Sequence, residues 1–407
     1  MSLLRRLPTS RLLALCAGVV LLVGGGAAIA TAAFSGGGPV PAPKALAPAI
    51  HDALATKPVQ GITARVTFTN HLIDSASVQG GNPLLSGATG RLWLAPGGRA
   101  RLELQSDNGD AQLVSDGKRF FAYDASSNTA YSGDLPRSSG KERAGGKERV
   151  PTVAEIERGL TRLMRRVTVL GPTPESTAGQ PAYRVRVSPR HDGGLLGAAE
   201  LSWDALHGVP LRAAVYAEGN SAPVLELKAT QISYGAVPAS TFAVSPPAGA
   251  KLVQVASAGS AQARDRHGSD RRHGAKQRGP QSVTAVSRAL PFRLSAPDRL
   301  VGLPRRGVRL LDWNHHPGAL VFYGRGLGGI AVIERPAGAA PAAPAAPARR
   351  GHRRQQLDLP KVSINGATGT ELATALGTVV QFERAGISYT VLGSVPPAAA
   401  EAAARGL

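Results

Sequence analysis

Between Gly90 and Leu135 the chain alternates apolar and polar residues in short runs, each closed by glycine, proline, asparagine or aspartate. Leu92 and Leu94 are two positions apart, and so are Leu102 and Leu104. Alternation with a period of two, broken at turn residues, predicts a meandering antiparallel sheet. Because alternate residues lie on opposite faces of a strand, one face of this sheet carries the leucines, and we expect that face to be buried.

The same alternation occurs on both sides of this stretch. Residues 61–70 predict a first strand, with Ile62, Ala64, Val66 and Phe68 on one face. A short helix is predicted before it, at residues 45–54. Later strands are predicted at residues 167–170, 182–188, 199–203, 211–217 and 224–233.

Residues 150–166 predict an amphipathic helix. Thr152 precedes Glu155 by three residues, which is the spacing of a capping box. The apolar residues that share one face are Val153, Ile156, Leu160, Leu163 and Met164. Two interpretations stay open: the helix fills the concave face of the sheet as ordinary core, or it is a movable lid over an apolar cavity.

Residues 282–407 predict a second, smaller α+β domain. Its strands are predicted at residues 308–313, 319–323, 330–334, 362–365, 378–384 and 388–392, and a closing helix at 397–405. An alanine-, proline- and arginine-rich tract at 336–356 predicts a disordered insertion. Residues 256–281, which join the two domains, have almost no large apolar side chain and therefore predict a disordered basic linker.

A net charge of +20 is compatible with binding to nucleic acid or to an anionic surface. Much of it lies in segments predicted to be disordered or membrane-embedded: 1–34 (+3), 137–149 (+3), 256–281 (+4) and 336–356 (+4). No aromatic residue lies between the basic residues of these segments, so bases would find no stacking platform. We therefore expect no binding to nucleic acid.

Residues 1–33 predict either a cleaved signal peptide or a retained membrane anchor. Three arginines precede an apolar run at 12–23, and the small residues Ala30-Thr31-Ala32 suit signal peptidase. The apolar stretch 12–33 is also long enough to span a membrane. Both alternatives place the rest of the chain outside the cytoplasm, secreted or anchored. Cys16, the single cysteine, lies inside the apolar run rather than at its end, which argues against lipid modification and leaves no disulfide.

No motif for catalysis or metal binding is present: the sequence lacks G-x-S-x-G and H-E-x-x-H, and its histidines have no anchoring pattern. Gly324 to Gly329 has the spacing G-x-G-x-x-G, but a strand follows it rather than a helix. A dinucleotide site requires the helix, so we predict a hairpin turn. Glu103 and Glu226 alternate with apolar residues and are expected to face solvent. We expect no enzyme, no cofactor and no metal.

The core stretch resembles the periplasmic outer-membrane lipoprotein carrier family LolA. The residues that carry the resemblance are Gly90, Leu92, Leu94, Pro96, Gly97, Arg101, Val114, Ser115, Asp116, Gly117, Lys118, Phe121, Tyr123 and Asp124. A second block covers 201–204, 208–211 and 242–247. The chain departs from the family at Ala95, where carriers have an arginine that takes part in cargo loading.

The resemblance implies the fold class. It is α+β, with a curved antiparallel incomplete β-barrel and helical lid at 45–255, followed by the smaller α+β domain. In this family the barrel encloses an apolar cavity that holds acyl chains. We therefore expect an extracytoplasmic carrier of lipid or lipoprotein acyl chains, whose lining is Ile62, Val66, Phe68, Leu92, Leu94, Leu102, Leu104, Phe121, Tyr123, Leu160, Leu163 and Met164. Which face turns inward is left open.

An alternative follows from the two-domain layout. RseB-like regulators of envelope-stress anti-sigma factors share this barrel and add a C-terminal domain, and residues 386–394 resemble a small α+β domain of bacterial envelope proteins. This resemblance implies a regulatory or structural, membrane-tethered protein whose partner is a membrane protein or an anti-sigma factor. The alanine-, glycine-, proline- and arginine-rich composition is typical of high-GC bacteria, including actinobacteria.

Overall fold

The structure is a computed structural model that describes residues 38–73, 87–107, 109–125, 128–135, 150–190, 194–255, 282–313, 316–338 and 359–407. The predicted signal or anchor at 1–33, the linker at 256–281 and most of the insertion at 336–356 lie outside these residues. The cysteine therefore lies outside them too.

The first part of the chain forms a twelve-stranded sheet. Its strands are β1 (Ile62–Asn70), β2 (Ala88–Ala95), β3 (Arg99–Ser106), β4 (Gly109–Asp116), β5 (Arg119–Asp124), β6 (Thr129–Asp134), β7 (Val167–Thr177), β8 (Gln180–Pro189), β9 (Leu196–Asp204), β10 (Pro210–Ala217), β11 (Leu225–Tyr234) and β12 (Lys251–Gln254). The strand order is β12-β6-β5-β4-β3-β2-β1-β11-β10-β9-β8-β7. Two meanders, β1–β6 and β7–β11, are thus joined by the antiparallel pair β1 and β11.

The predicted fold class is confirmed. Every pair of neighbouring strands in this sheet is antiparallel except β12 and β6, which are parallel. Among the described strands, β12 and β7 form the two ends of the order and do not pair with each other. The curved sheet is therefore an incomplete barrel, and a smaller α+β unit follows it.

Two helices lie over the β7–β9 part of the sheet: α1 (Leu46–Ala55) and α2 (Val153–Leu163). The predicted capping box is confirmed, because the Thr152 hydroxyl accepts from the Glu155 amide and the Glu155 carboxylate accepts from the Thr152 amide at 2.8 Å. Ala49 and Ala53 of α1 are buried in one cluster with residues of β7, β8 and β9, and Leu163 of α2 packs against it. The two helices therefore cover only this end of the sheet.

A second, eight-stranded sheet follows, with helices α3 (Val283–Ala289) and α4 (Pro397–Arg405). Its strands are β13 (Arg299–Leu300), β14 (Leu303–Trp313), β15 (His316–Tyr323), β16 (Ile330–Pro336), β17 (Lys361–Ile364), β18 (Ala367–Thr374), β19 (Gly377–Arg384) and β20 (Ile387–Gly393). They are ordered β13-β14-β15-β16-β20-β19-β18-β17 and have their own core cluster. Pro336 is the last residue of β16.

The glycine-rich loop at 324–329 connects two antiparallel strands, β15 and β16. The predicted hairpin turn is confirmed, and no helix N-terminus follows the loop to face a phosphate. Gly324 has a φ of 75° and Gly326 a φ of 64°, in the left-handed region that favours glycine. The glycines of this motif serve the turn rather than a dinucleotide.

Backbone hydrogen bonds join the two sheets. The Leu195 amide donates to the Ser394 carbonyl at 3.1 Å, and the Ala375 amide donates to the Leu72 carbonyl at 2.8 Å. The Ser394 hydroxyl also accepts from the Leu195 amide at 3.0 Å. Turns of the second sheet thus meet loops of the first at two points.

Within the described ranges, none of the helices has the length and apolar character that crossing a membrane would require.

Candidate ligand-binding surface

Strand register defines two faces of the twelve-stranded sheet. In β1–β6, Ala64, Leu92, Leu102, Leu113, Ala122 and Tyr131 lie directly opposite one another in a single row across the strands. Directly opposed residues of an antiparallel pair share a face, so the whole row points the same way. We call this side the inner face, because its continuation across β11, β10, β9, β8 and β7 is the side that α1 covers.

Burial along this row falls from the centre of the sheet towards β6. Ala64 is buried and Leu92 and Leu102 are half-buried, whereas Leu113 is 50% exposed and Tyr131 is 38% exposed. On β11, Leu227 of the same face is 37% exposed. The inner face is therefore packed at its centre and open in front of β4, β6 and part of β11.

The β7–β9 end of the inner face is closed. Val167, Val169, Val185, Val187 and Leu201 are all buried there. The alanines of α1 and the side chain of Leu163 lie against them, as described above. Side chains of α1 and α2 therefore fill the inner face at this end of the sheet.

Seven of the twelve predicted lining residues lie together on the inner face: Ile62, Val66, Phe68, Leu92, Leu94, Leu102 and Leu104. They belong to one apolar cluster, in which Ile62, Val66 and Leu104 are fully buried and the other four are half-buried. The structure therefore places these seven side chains next to one another, on strands β1, β2 and β3.

The register places Phe121 and Tyr123 on the opposite, outer face. Phe121 is opposite Val114, which is opposite Arg101, and Tyr123 is opposite Gln112. The alternation of Phe120-Phe121-Ala122-Tyr123 does not distinguish the two faces, since both carry an aromatic residue. Placing these two residues with the leucines in one lining was thus wrong.

Phe121 has a different apolar environment. It lines a cavity of about 350 Å³ together with Val114, Phe242, Val244 and Pro246, where the segment after β11 crosses the outer face. The Tyr123 hydroxyl donates to Asn128 Oδ1 at 2.9 Å. Both aromatic residues thus pack outside the inner face.

The three predicted residues of α2 lie at its edge. Leu160 and Leu163 are half-buried, Met164 follows the last helical residue and is 40% exposed, and no residue of α2 is buried. A helix that filled the concave face as ordinary core would bury its apolar stripe. Of these three side chains, Leu163 packs on the cluster around α1.

Leu113, Tyr131 and Leu227 were missed by sequence reasoning. Leu113 lies in the run Ala111-Gln112-Leu113-Val114, where apolar residues occur on both faces, so the alternation is ambiguous. Tyr131 and Leu227 follow the period of two in β6 and β11. Extending the leucine face across every predicted strand would have found them, but that step requires the register.

The outer face of β8–β11 carries a network of ion pairs. Glu200 accepts from Arg212 at 2.6 Å, from Arg186 at 2.9 Å and from the Tyr216 hydroxyl at 2.8 Å, and Glu226 accepts from Arg212 at 2.6 Å. Burial alone would raise the pKa of Glu200, but these hydrogen bonds outweigh it and hold the pKa below its ordinary value. Both oxygens of Glu200 are engaged in this network, and Arg212 links its two carboxylates.

Glu103 and Glu226 are therefore not simple solvent-facing residues. Glu226 belongs to this network, and Glu103 forms an ion pair with Arg101 on the outer face, where both side chains are partly buried. The alternation correctly places both glutamates on the face opposite the leucines. It does not show that Arg101 and Arg212 pair with them.

Within the described residues, no group of three or more histidine, cysteine, aspartate or glutamate side chains is arranged to hold a metal ion.

No protein-family model and no curated protein sequence matches the chain. Among solved structures, a crystal structure of MucB in complex with MucA(peri) is similar to it at 16% identity and a TM-score of 0.36, covering 84% of this chain and 91% of that one. A complex of Pseudomonas aeruginosa MucA and MucB is similar at 17% identity and a TM-score of 0.36, covering 88% of this chain and 94% of that one.

An uncharacterized conserved protein from Thermus thermophilus is similar at 13% identity and a TM-score of 0.31, covering 51% of this chain and 96% of that one.

Proposed function

We propose that the chain is an extracytoplasmic binding protein whose inner face holds the acyl chains of a lipid or lipoprotein. One observation carries this proposal: an apolar face that is packed at its centre exposes Leu113, Tyr131 and Leu227. Leu113 and Tyr131 lie on the β4–β6 side of this face, and Leu227 lies on β11. Exposed apolar surface of this kind marks binding sites for apolar ligands or partners. Met164, at the end of α2, adds a further exposed apolar side chain.

Burial of apolar surface is sufficient chemistry for this function. Each methylene group transferred from water to an apolar surface contributes about 0.8 kcal/mol. An acyl chain is therefore held by length and shape, without a catalytic residue, a cofactor or a polar contact. The leucines of β2 and β3 would form the floor of the site, and Leu113 and Tyr131 would form its open side.

The test is uptake of a fluorescent fatty acid by the chain and its Leu113→Asp variant. A carboxylate at this position opposes apolar contact, so we expect uptake to fall roughly tenfold or more while the sheet stays folded. Leu206→Asp is the matched control, because Leu206 is 65% exposed in the turn between β9 and β10. Uptake that is equal in both variants, or absent from the wild-type chain, would exclude the inner face as the site.

A second candidate function is envelope-stress regulation through a membrane protein or an anti-sigma factor. The backbone contacts between the two sheets, at Leu195–Ser394 and Leu72–Ala375, favour it. A ligand that changed these contacts would change the surface presented to a partner. Copurification of a membrane partner with the full chain, lost when residues 282–407 are removed, would support regulation over lipid carriage.

A further inference from the structure

The outer face of the twelve-stranded sheet carries a group of basic side chains. Arg65 on β1 lies directly opposite Arg91 on β2. Lys228 on β11 lies opposite Thr67, which is two residues from Arg65 on the same face of β1. All three basic side chains are exposed. We call Arg65, Arg91 and Lys228 the basic patch.

Like charges directly opposite each other destabilise a sheet, and an acidic neighbour ordinarily relieves the repulsion. Glu103 is opposite Arg91 in register. Its Oε1, however, accepts from Arg101 Nε at 2.9 Å and from Gln112 Nε2 at 3.2 Å. The nearest acid along the row is therefore committed to residues other than Arg91.

The other nearby acid is also committed. Glu226, on the same face of β11 as Lys228, accepts from Arg212 Nε at 2.6 Å. In the part of the chain that the structure describes, Arg65, Arg91 and Lys228 form no ion pair. Among the described residues, the three cations of the basic patch thus have no ion-pair partner, and the two acids beside them are paired with Arg101 and Arg212.

The spacing of the patch favours a partner that carries several negative charges. Neighbouring strands are about 4.8 Å apart, so the cations of β1, β2 and β11 project side by side from one surface. Exposed residues beside them are polar and uncharged, and they include Thr63, Thr89, Gln231 and Ser233. Such a surface can contact several anionic groups at once but does not form a pocket around a single ligand.

Trp93 borders the patch on β2. It lies opposite Thr63 and is half-buried, and the Arg101 guanidinium lies 5.6 Å from its ring centroid. Tryptophan is enriched where membrane proteins meet the headgroup region, because its amphipathic ring suits that interface. This neighbour distinguishes the patch from a purely solvated charged surface.

We propose that the basic patch docks the sheet on the phosphodiester headgroups of an anionic phospholipid surface. The proposal shares with the proposed function only the extracytoplasmic location of the sheet, because the acyl-chain site lies on the inner face. Docking by the outer face would leave the exposed side of the inner face free. A carrier arranged in this way would meet a membrane without covering its own ligand site.

The test is vesicle flotation of the full chain with phosphatidylcholine vesicles that contain or lack phosphatidylglycerol. The variant is Arg65→Gln, Arg91→Gln, Lys228→Gln. The matched control is Arg288→Gln, Arg293→Gln, Lys361→Gln, which removes the same charges from exposed positions of the second sheet unit. Comparing the two vesicle types cancels any membrane affinity that does not depend on headgroup charge.

We expect the preference of the wild-type chain for anionic vesicles to fall about fivefold for each cation removed from the patch, and to stay largely unchanged in the control. An equal loss in the control would mean that net charge alone acts, and would overturn the proposal. Equal flotation of the wild-type chain with the two vesicle types would also overturn it, because the anionic headgroup would then play no part. Fatty-acid uptake by the patch variant should be unchanged. This measurement separates a failure of membrane docking from a failure of the acyl-chain site.

Discussion

At the scale of single residues, Glu334 is the side chain whose environment departs most from its usual one. It lies on β16 in the core of the second sheet and is 0% exposed. Its Oε2 accepts from the Ser295 amide at 2.9 Å. Burial raises its pKa to about 7, although the Ser295 hydrogen bond and the charge of Arg384 act in the opposite direction.

This pKa has a consequence for stability. The folded state holds a proton on Glu334 up to about pH 7, whereas the ordinary value is 4.5, so the unfolded state loses it first. The free energy of unfolding of the second sheet therefore decreases as pH rises through this window, by about 3 kcal/mol at most. Below the ordinary pKa, stability no longer depends on this group, because both states are protonated.

We predict that Glu334→Gln stabilises the second sheet at about pH 8 and leaves it unchanged at about pH 4, below the ordinary pKa. Glutamine keeps an oxygen that can accept from the Ser295 amide but cannot ionise. Urea unfolding of the full chain at both pH values measures the difference, and Glu383→Gln is the control because Glu383 is exposed on β19. A variant that lost stability equally at both pH values would show that Glu334 acts by packing alone.

At the scale of elements, the first turn of α2 shows how a local motif stabilises a helix. Its capping box satisfies two backbone amides, and the helix buries none of its residues. Its stability therefore depends on its cap more than that of a core helix does. Loss of an N-cap side chain costs a helix about 1 kcal/mol.

We predict that Thr152→Ala increases amide hydrogen exchange in α2 about fivefold without changing exchange in β1–β3, since the helix frays locally. Thr161→Ala, an exposed position on the same helix, is the control. If α2 is a lid over the inner face, the same variant releases a bound fluorescent fatty acid faster. Unchanged release with faster exchange would mean that α2 does not cover the ligand.

The elements show how far the sequence alone leads. The strands β1 to β11 of the first sheet, the capping box of α2 and the hairpin at Gly324 could be predicted, because each depends on residues close in the chain, whereas β12 was not predicted. The sequence alone could not show that Phe121 and Leu102 lie on opposite faces, because β5 has aromatic residues on both faces. Only the pairing of β4 with β5 shows that they point apart. Register is a property of neighbouring strands, not of a single run.

At the scale of the whole molecule, long-range pairings decide which surfaces exist. The inner face becomes continuous because β11 pairs with β1, joining residues 62–70 to residues 225–234. The basic patch likewise combines β1, β2 and β11. No single segment of the sequence indicates either surface, because each forms only when distant strands pair. Leu227 and the basic patch were therefore absent from the sequence predictions.

The contact between the two sheets has the same long-range origin and can be tested at a single glycine. Gly194 has a φ of 60°, and a Cβ at this position would lie 2.1 Å from the Ser394 carbonyl oxygen. Gly219 also has a positive φ, 75°, but nothing lies within 4 Å of its Cβ position. Alanine would be strained at both positions because of the positive φ. Only at position 194 would its methyl group also clash with Ser394 and push the two sheets apart.

We therefore predict that Gly194→Ala raises amide exchange in peptides that contain Leu195 and Ala375, while Gly219→Ala leaves those peptides protected. The two amides donate across the contact to Ser394 and Leu72, so both should open together if the contact is a single unit. Opening of Leu195 alone would show two independent contacts. If neither amide changed, the backbone would have absorbed the methyl group, and the contact could not transmit a signal from one sheet to the other by this route.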